Sequence, residues 1–163
     1  MTDVRTKPPT QDARSGTRYD PITQRPPRRL GRSAAAVAIG FIAVAVLSLV
    51  TDEVLHLLRV YPPWGVPMFD PRLNLLALAY RSVFTVAGMY LTARLAPRSP
   101  VGHALVGGAI GTVVATLGII ATLPLKLGPT WYPVALAVTA LPLAWLGGAL
   151  YRKSVSDARM AAR

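Results

Sequence analysis

Ser48, Asp52, His56 and Arg59 are spaced by four, four and three residues, so on an α-helix they share one face. Further along, Asn74, Arg81, Thr85, Gly88 and Thr92, with Leu78 between, repeat at intervals of three and four and form a second polar stripe. If the two helices pack antiparallel, the stripes face each other, and Arg81 pairs with Asp52, with Glu53 as the competing partner. Two chemistries fit such a cluster. An acid beside a histidine in a medium of low dielectric is the material of a proton or cation relay, because burial raises a carboxylate pKa and imidazole exchanges protons near neutrality. Alternatively Asp52 neutralises Arg81, which would otherwise cost about 2.5–3.5 kcal/mol at the centre of a membrane span, and the pair fixes the register of a hairpin. At about 1.5 Å per residue, Asp52 lies roughly 28 Å above a helix start near Ser33, close to the edge of a roughly 30 Å hydrocarbon core. Arg81 lies only about 20 Å above Arg94, a gap that a long arginine stem can close. That shallow depth favours the neutralising role.

Other chemistry is scarce. The chain has no cysteine, which excludes disulfide frameworks, thiolate nucleophiles, Cys-ligated zinc and iron–sulfur clusters together. The two histidines, His56 and His103, fall at opposite ends of their helices and cannot clamp one haem. Asp52, Glu53 and His56 offer few ligands, and Arg81 would repel a cation. No metal or other cofactor is expected. Ser48 and His56 are two turns apart, too far for a nucleophile–base pair, and no phosphate-binding glycine loop is present. No catalytic residue is assigned.

The elements that must position these groups are membrane spans. Of the 163 residues 52% are hydrophobic and only 15% charged, and the charges gather in the first 32 residues, the last dozen and the loops. Four apolar stretches lie between them, at about 34–59, 73–96, 101–123 and 132–151, each long enough to cross a bilayer. The expected fold is therefore an all-α membrane protein, a four-transmembrane-helix bundle over 33–152, with tails at 1–32 and 153–163. The last span carries Pro142 and should kink there. The first tail, rich in Arg, Pro and small polar residues, should be a disordered cytoplasmic segment that anionic lipids hold at roughly 1 kcal/mol per basic residue. Its length, and that of the apolar run behind it, argue against a cleaved signal peptide.

Orientation follows from the basic residues. Fourteen Lys and Arg fall in the tails and the 94–100 loop, against Arg59, Arg72 and Lys126 on the other side and Arg81 inside. The positive-inside rule then places both termini in the cytoplasm, so the net charge of +11 reports topology, and no nucleic-acid partner is expected. Alanine-, valine-, arginine- and proline-rich usage suits a bacterium with a GC-rich genome, and hence its inner membrane.

The outer connectors, 61–71 and 126–131, combine prolines, which exclude helix, with Tyr61, Trp64, Trp131 and Tyr132 at the expected headgroup level. On the third span Gly107, Gly111, Ala115 and Gly118 lie along one face, with Gly108 beside it, a surface on which helix backbones approach closely. It could serve the bundle itself, a membrane protein partner or a homo-oligomer. A constant offset relates Pro71, Ala77-Leu78-Ala79 and Arg94 to Pro129, Ala135-Leu136-Ala137 and Arg152, which suggests two tandem hairpins.

The runs T-D-E-V-L-H at 51–56, P-P-W-G at 62–65, A-Y-R at 79–81, G-M-Y-L-T-A-R-L-A-P at 88–97 and G-P-T-W-Y-P at 128–133 together resemble a group of small four-helix bacterial integral membrane proteins without an established activity. The resemblance spans the membrane part, omits the first tail, and implies the fold and the location only. Small multidrug exporters share the helix number and a first-helix acid, but theirs is deep and lacks the setting of Ser48 to His56. The function expected from abundant packing signals and scarce chemistry is a non-enzymatic accessory or assembly subunit. The alternatives are a proton- or cation-coupled small-solute transporter using Asp52, Glu53, His56 and Arg81, and a lipid-acting enzyme with a polar pocket at the headgroup level.

Overall fold

A computed structural model describes residues 30–163. It is all-helical among those residues, with α1 (Leu30–Leu57), α2 (Pro71–Leu95), α3 (Pro100–Thr122) and α4 (Trp131–Ala161), and a single 3-10 turn over Leu123–Leu125. All four helices are long and apolar enough to span a membrane. The first tail, expected over 1–32, lies outside the described residues except for its last three, Leu30 to Arg32, which form the start of α1.

Local chemistry sets the helix ends. The prolines at 62, 63, 67 and 71 keep the first connector out of helix, and α2 begins at Pro71, where a missing N–H costs nothing. The Asp70 side chain caps it by accepting a 2.8 Å hydrogen bond from the Arg72 backbone N–H. Helix α1 ends at Leu57, two residues short of the expected boundary, because Arg59 turns into the left-handed region with φ 56°. The Val60 N–H then bonds back to the Leu55 carbonyl at 2.9 Å and the Arg59 N–H to that of His56 at 3.0 Å, the Schellman pattern that usually recruits glycine. Arg59 is therefore not on the helical face with Ser48, Asp52 and His56. At the other extreme, α4 runs on through the expected 153–163 tail as far as Ala161, since 152–161 contains neither proline nor glycine to stop it. Pro142 sits inside that helix without ending it.

Successive helices run antiparallel, so the α1–α2 and α3–α4 connectors share one end of the bundle. There they are joined by a 2.7 Å hydrogen bond from the Met68 N–H to the Leu127 carbonyl. We call this the connector end; the short α2–α3 turn at 96–99 marks the opposite, short-loop end. Helix α2 packs against all three others, whereas α1 does not pack against α4.

The interior is built from small side chains. Ala36 and Gly40 of α1, Ala77, Gly88 and Ala93 of α2, Ala104, Gly107 and Gly108 of α3, and Ala144, Gly147 and Gly148 of α4 are buried, while most of the large aliphatic side chains point outward. Lipid offers no hydrophobic reason for helices to associate, so contact depends on backbones coming close, and that demands small residues. A Cβ added at Gly88 would lie 2.7 Å from the Gly40 carbonyl oxygen, and one at Gly147 would lie 2.5 Å from that of Val86.

Candidate functional site

The polar groups collect at the connector half of the α1–α2 pair. Asp52 is 6% exposed, and both of its carboxylate oxygens are taken from adjacent residues of α2. Arg81 Nη2 lies 2.5 Å from Oδ2, and the Tyr80 hydroxyl donates to Oδ1. An uncompensated carboxylate in an apolar interior is expensive, and pairing plus a neutral donor on the other oxygen removes that expense. The Arg81 backbone is tied in as well, its carbonyl accepting from Thr85 Oγ1 at 2.8 Å. Arg81 Nε is buried without a hydrogen-bond partner.

The other candidates divide. Ser48 is buried one turn from Asp52. Glu53 points away from Arg81, is exposed, and accepts a 3.2 Å hydrogen bond from Trp64 Nε1. His56 does not join the carboxylates: its ring sits between Trp64, 4.1 Å away, and Tyr61, 5.6 Å away and edge-on, and its Nδ1 is buried and unpartnered. Among the described residues no three histidine, aspartate or glutamate side chains converge. Asn74, expected in the charge cluster, instead pins the first connector. It is 2% exposed, and its Nδ2 donates to the carbonyls of Met68 at 3.1 Å and Asp70 at 2.8 Å.

The aromatic residues also differ among themselves. Trp64 and Trp131 are open to the surroundings, as a headgroup-level ring should be, but Tyr61 is turned inward, 5% exposed, with its hydroxyl donating to the Leu73 carbonyl at 3.3 Å. Burial pushes its pKa above the ordinary tyrosine value, and the Asp52 charge adds to this. The nearby Tyr80 hydroxyl and the Arg81 charge pull the other way. Tyr132 is half-buried and faces the same charges from α4. Tyr61, Tyr80 and Tyr132 thus surround the ion pair. Tyr80 was not singled out by the sequence, because as the neighbour of Arg81 it falls off the three–four stripe by one position.

Below the ion pair lies a cavity of about 400 Å³ bounded by all four helices. Asp52 and Arg81 stand at its connector end, with Ser48, Thr85 and Thr139 along its walls, and Met89 and Gly107 close its floor. The glycine face of α3 is split by this cavity. Gly107 and Gly108 are packed against Met89 and Ala144, Gly111 and Ala115 line open space, and a Cβ at Gly118 would touch nothing within 4 Å. It is not one continuous packing surface.

Fold and site together define a small polytopic protein with four helices fit to span a membrane, a part-buried Asp–Arg–Tyr cluster and a partly open cavity between the helices. Comparison with protein-family models, with curated proteins and with solved structures finds no match to this chain.

Proposed function

We propose that this protein is a multi-pass protein of a bacterial inner membrane, with both termini cytoplasmic, that works without catalysis as an accessory or assembly subunit. The observation that carries the reading is the closed state of Asp52. Arg81 and Tyr80 occupy both of its oxygens, so the acid serves as a counter-ion that sets helix register and leaves no free base beside a nucleophile. Orientation is supported by the fourteen basic residues of the tails and the 94–100 loop. A tandem origin of the two hairpins is supported by the constant offset between Pro71 and Pro129, and between Arg94 and Arg152. Native mass spectrometry of the protein gently solubilised from its own membranes tests the role. A complex of fixed stoichiometry, with another membrane protein or with further copies of this chain, is expected; a lone monomer overturns it.

A second reading, proton- or cation-coupled transport of a small solute, is favoured by one observation, the cavity that reaches Asp52 and Arg81. It requires that Asp52→Asn abolish proton-linked flux in liposomes while the protein stays folded. The subunit reading requires instead that Asp52→Asn lower stability and that Arg81→Leu restore part of it.

A further inference from the structure

The glycines of α3 are of two kinds. At Gly108 an added Cβ would come within 2.5 Å of Ala144 Cβ and 3.3 Å of the Ala140 carbonyl oxygen, so helix packing demands glycine there, while at Gly107 it would meet the flexible end of Met89, Sδ at 2.7 Å, which packs over it. At Gly111 it would meet only Ala140 Cβ, at 3.9 Å, an ordinary contact. Glycine within a helix is destabilising relative to alanine, and no close neighbour explains it here. What the missing side chain does is keep open the cavity whose wall Gly111 shares with Ala115. The upper end of that cavity is a built polar site. Asp52 is buried, and Arg81, although paired, keeps 31% of its side chain open, so guanidinium N–H groups remain for a second acceptor.

We propose that the cavity binds a neutral, mainly apolar molecule carrying a carbonyl oxygen at one end, which accepts a hydrogen bond from Arg81 while the apolar body lies along Gly111 and Ala115. Charge selects the class. Asp52 and Arg81 cancel, and among the described residues no other ionisable one lines the cavity, so an ionic ligand would leave a net charge in a medium of low dielectric. Size and shape agree. About 400 Å³ falls within the usual range of ligand pockets, and the lining on α1 from Phe41 to Asp52 extends roughly 16 Å at 1.5 Å per residue, which suits an elongated body. Because α1 packs only sparsely against its neighbour α3, and both line the cavity, the ligand can enter sideways from the bilayer between them. A neutral glycerolipid ester and a quinone head share this chemistry. The inference goes beyond the subunit role and does not depend on it.

The test uses the full chain in phosphatidylcholine nanodiscs doped with diacylglycerol in one arm, a short-chain isoprenoid benzoquinone in a second and phosphatidylglycerol in a third, with bound molecules counted by native mass spectrometry. One neutral molecule per chain is expected in at least one of the first two arms, identifying the source, with occupancy at least tenfold lower in Gly111→Leu. Thermal unfolding checks that this variant is folded, and Ala115→Leu, which fills the same space from the next turn, takes its place if it is not. Occupancy that tracks the bulk mole fraction, that is unchanged in the filled variants, or that is specific for phosphatidylglycerol alone overturns the proposal.

Discussion

Near the short-loop end, Gly40 and Gly88 bring α1 and α2 so close that a Cβ on either would run into the backbone of the other. Roughly two to three turns away the same two helices are joined by long side chains, Arg81 reaching Asp52 with Tyr80 beside it, and a cavity stands between them and the other hairpin. One half is held by shape and the other by charge. The two devices suit different needs. Close backbone approach works without any polar group, but it leaves no volume; an ion pair spans a gap and keeps one open, provided every buried lone pair near it is satisfied. The small residues therefore do their work where the helices must touch, and the charged ones where they must stand apart.

The comparison breaks first, and most severely, at Gly88. Gly88→Leu would force its side chain against Val44 and into the Gly40 carbonyl oxygen, 2.7 Å from where the Cβ alone would sit; Val44 can change rotamer, but the Gly40 backbone cannot move aside. We expect a loss of about 3 kcal/mol or more, seen as a fall in thermal stability in detergent and as loss of cross-linking between cysteines placed on α1 and α2. Gly118→Leu is the matched control on α3, where a Cβ meets nothing, and should stay within about 0.5 kcal/mol of the parent. Equal effects at the two sites would remove the steric half of the argument.

The charged half is tested by Arg81→Leu, which strands Asp52. Breaking a buried pair costs about 3–5 kcal/mol. With 31% of the Arg81 side chain open, solvent screening should bring this below that range, to about 2–3 kcal/mol. Adding Asp52→Asn should recover at least half of it, since the unpaired charge is then gone, and a double-mutant cycle in chemical denaturation reads the coupling directly. If the two substitutions add independently, charge does not hold this half together.

Much of the fold was open to inspection in the sequence, because membrane spans announce themselves by length and by the exclusion of charge. The facing of Asp52 and Arg81 was visible for a related reason: spacings of three and four translate directly into one face of a helix. What the spacing could not carry was contact that depends on the next helix. Gly40 lies among alanines and valines and carries no signal of its own, yet it meets Thr92 and Gly88. The α3 glycines form one unbroken stripe in sequence, yet they separate into packing residues and cavity wall, since which turn of a helix meets a neighbour depends on the crossing angle. Tyr61 appeared as a headgroup aromatic from its company of prolines, yet the connector folds back and buries it.

That inward turn gives a smaller, pH-dependent prediction. Burial raises the Tyr61 pKa above its ordinary value of 10.0, so the folded state holds this proton more tightly than the unfolded state does. The resulting stabilisation is complete below pH 10 and is lost as pH climbs through the raised folded value. Tyr61→Phe should therefore show a shallower loss of thermal stability above pH 10 than the parent. At neutral pH it should cost only about 0.5 kcal/mol, because the hydrogen bond it gives up, to the Leu73 carbonyl, is long at 3.3 Å. An unchanged alkaline slope would mean that the tyrosine is hydrated and that the connector does not close over the ion pair.

An effect of similar size, but of opposite sign, belongs to the residue that ends α1. Arg59 occupies a left-handed position with φ 56°, in a Schellman turn whose two hydrogen bonds, from Val60 to Leu55 and from Arg59 to His56, need only the backbone. An L-residue with a Cβ is strained there by about 1 kcal/mol, and glycine is not. Arg59→Gly should thus stabilise the connector half by about 0.5–1 kcal/mol, with glycine's greater freedom in the unfolded chain offsetting part of the gain. Arg59 is exposed and its stem is long enough to reach a headgroup phosphate, so the measurement should be made both in uncharged detergent and in anionic bilayers. A gain in detergent that disappears in anionic lipid would assign this end of the bundle a third support besides shape and internal charge, namely the membrane surface. A loss in both would show that the arginine side chain, and not the backbone turn, is what terminates the helix.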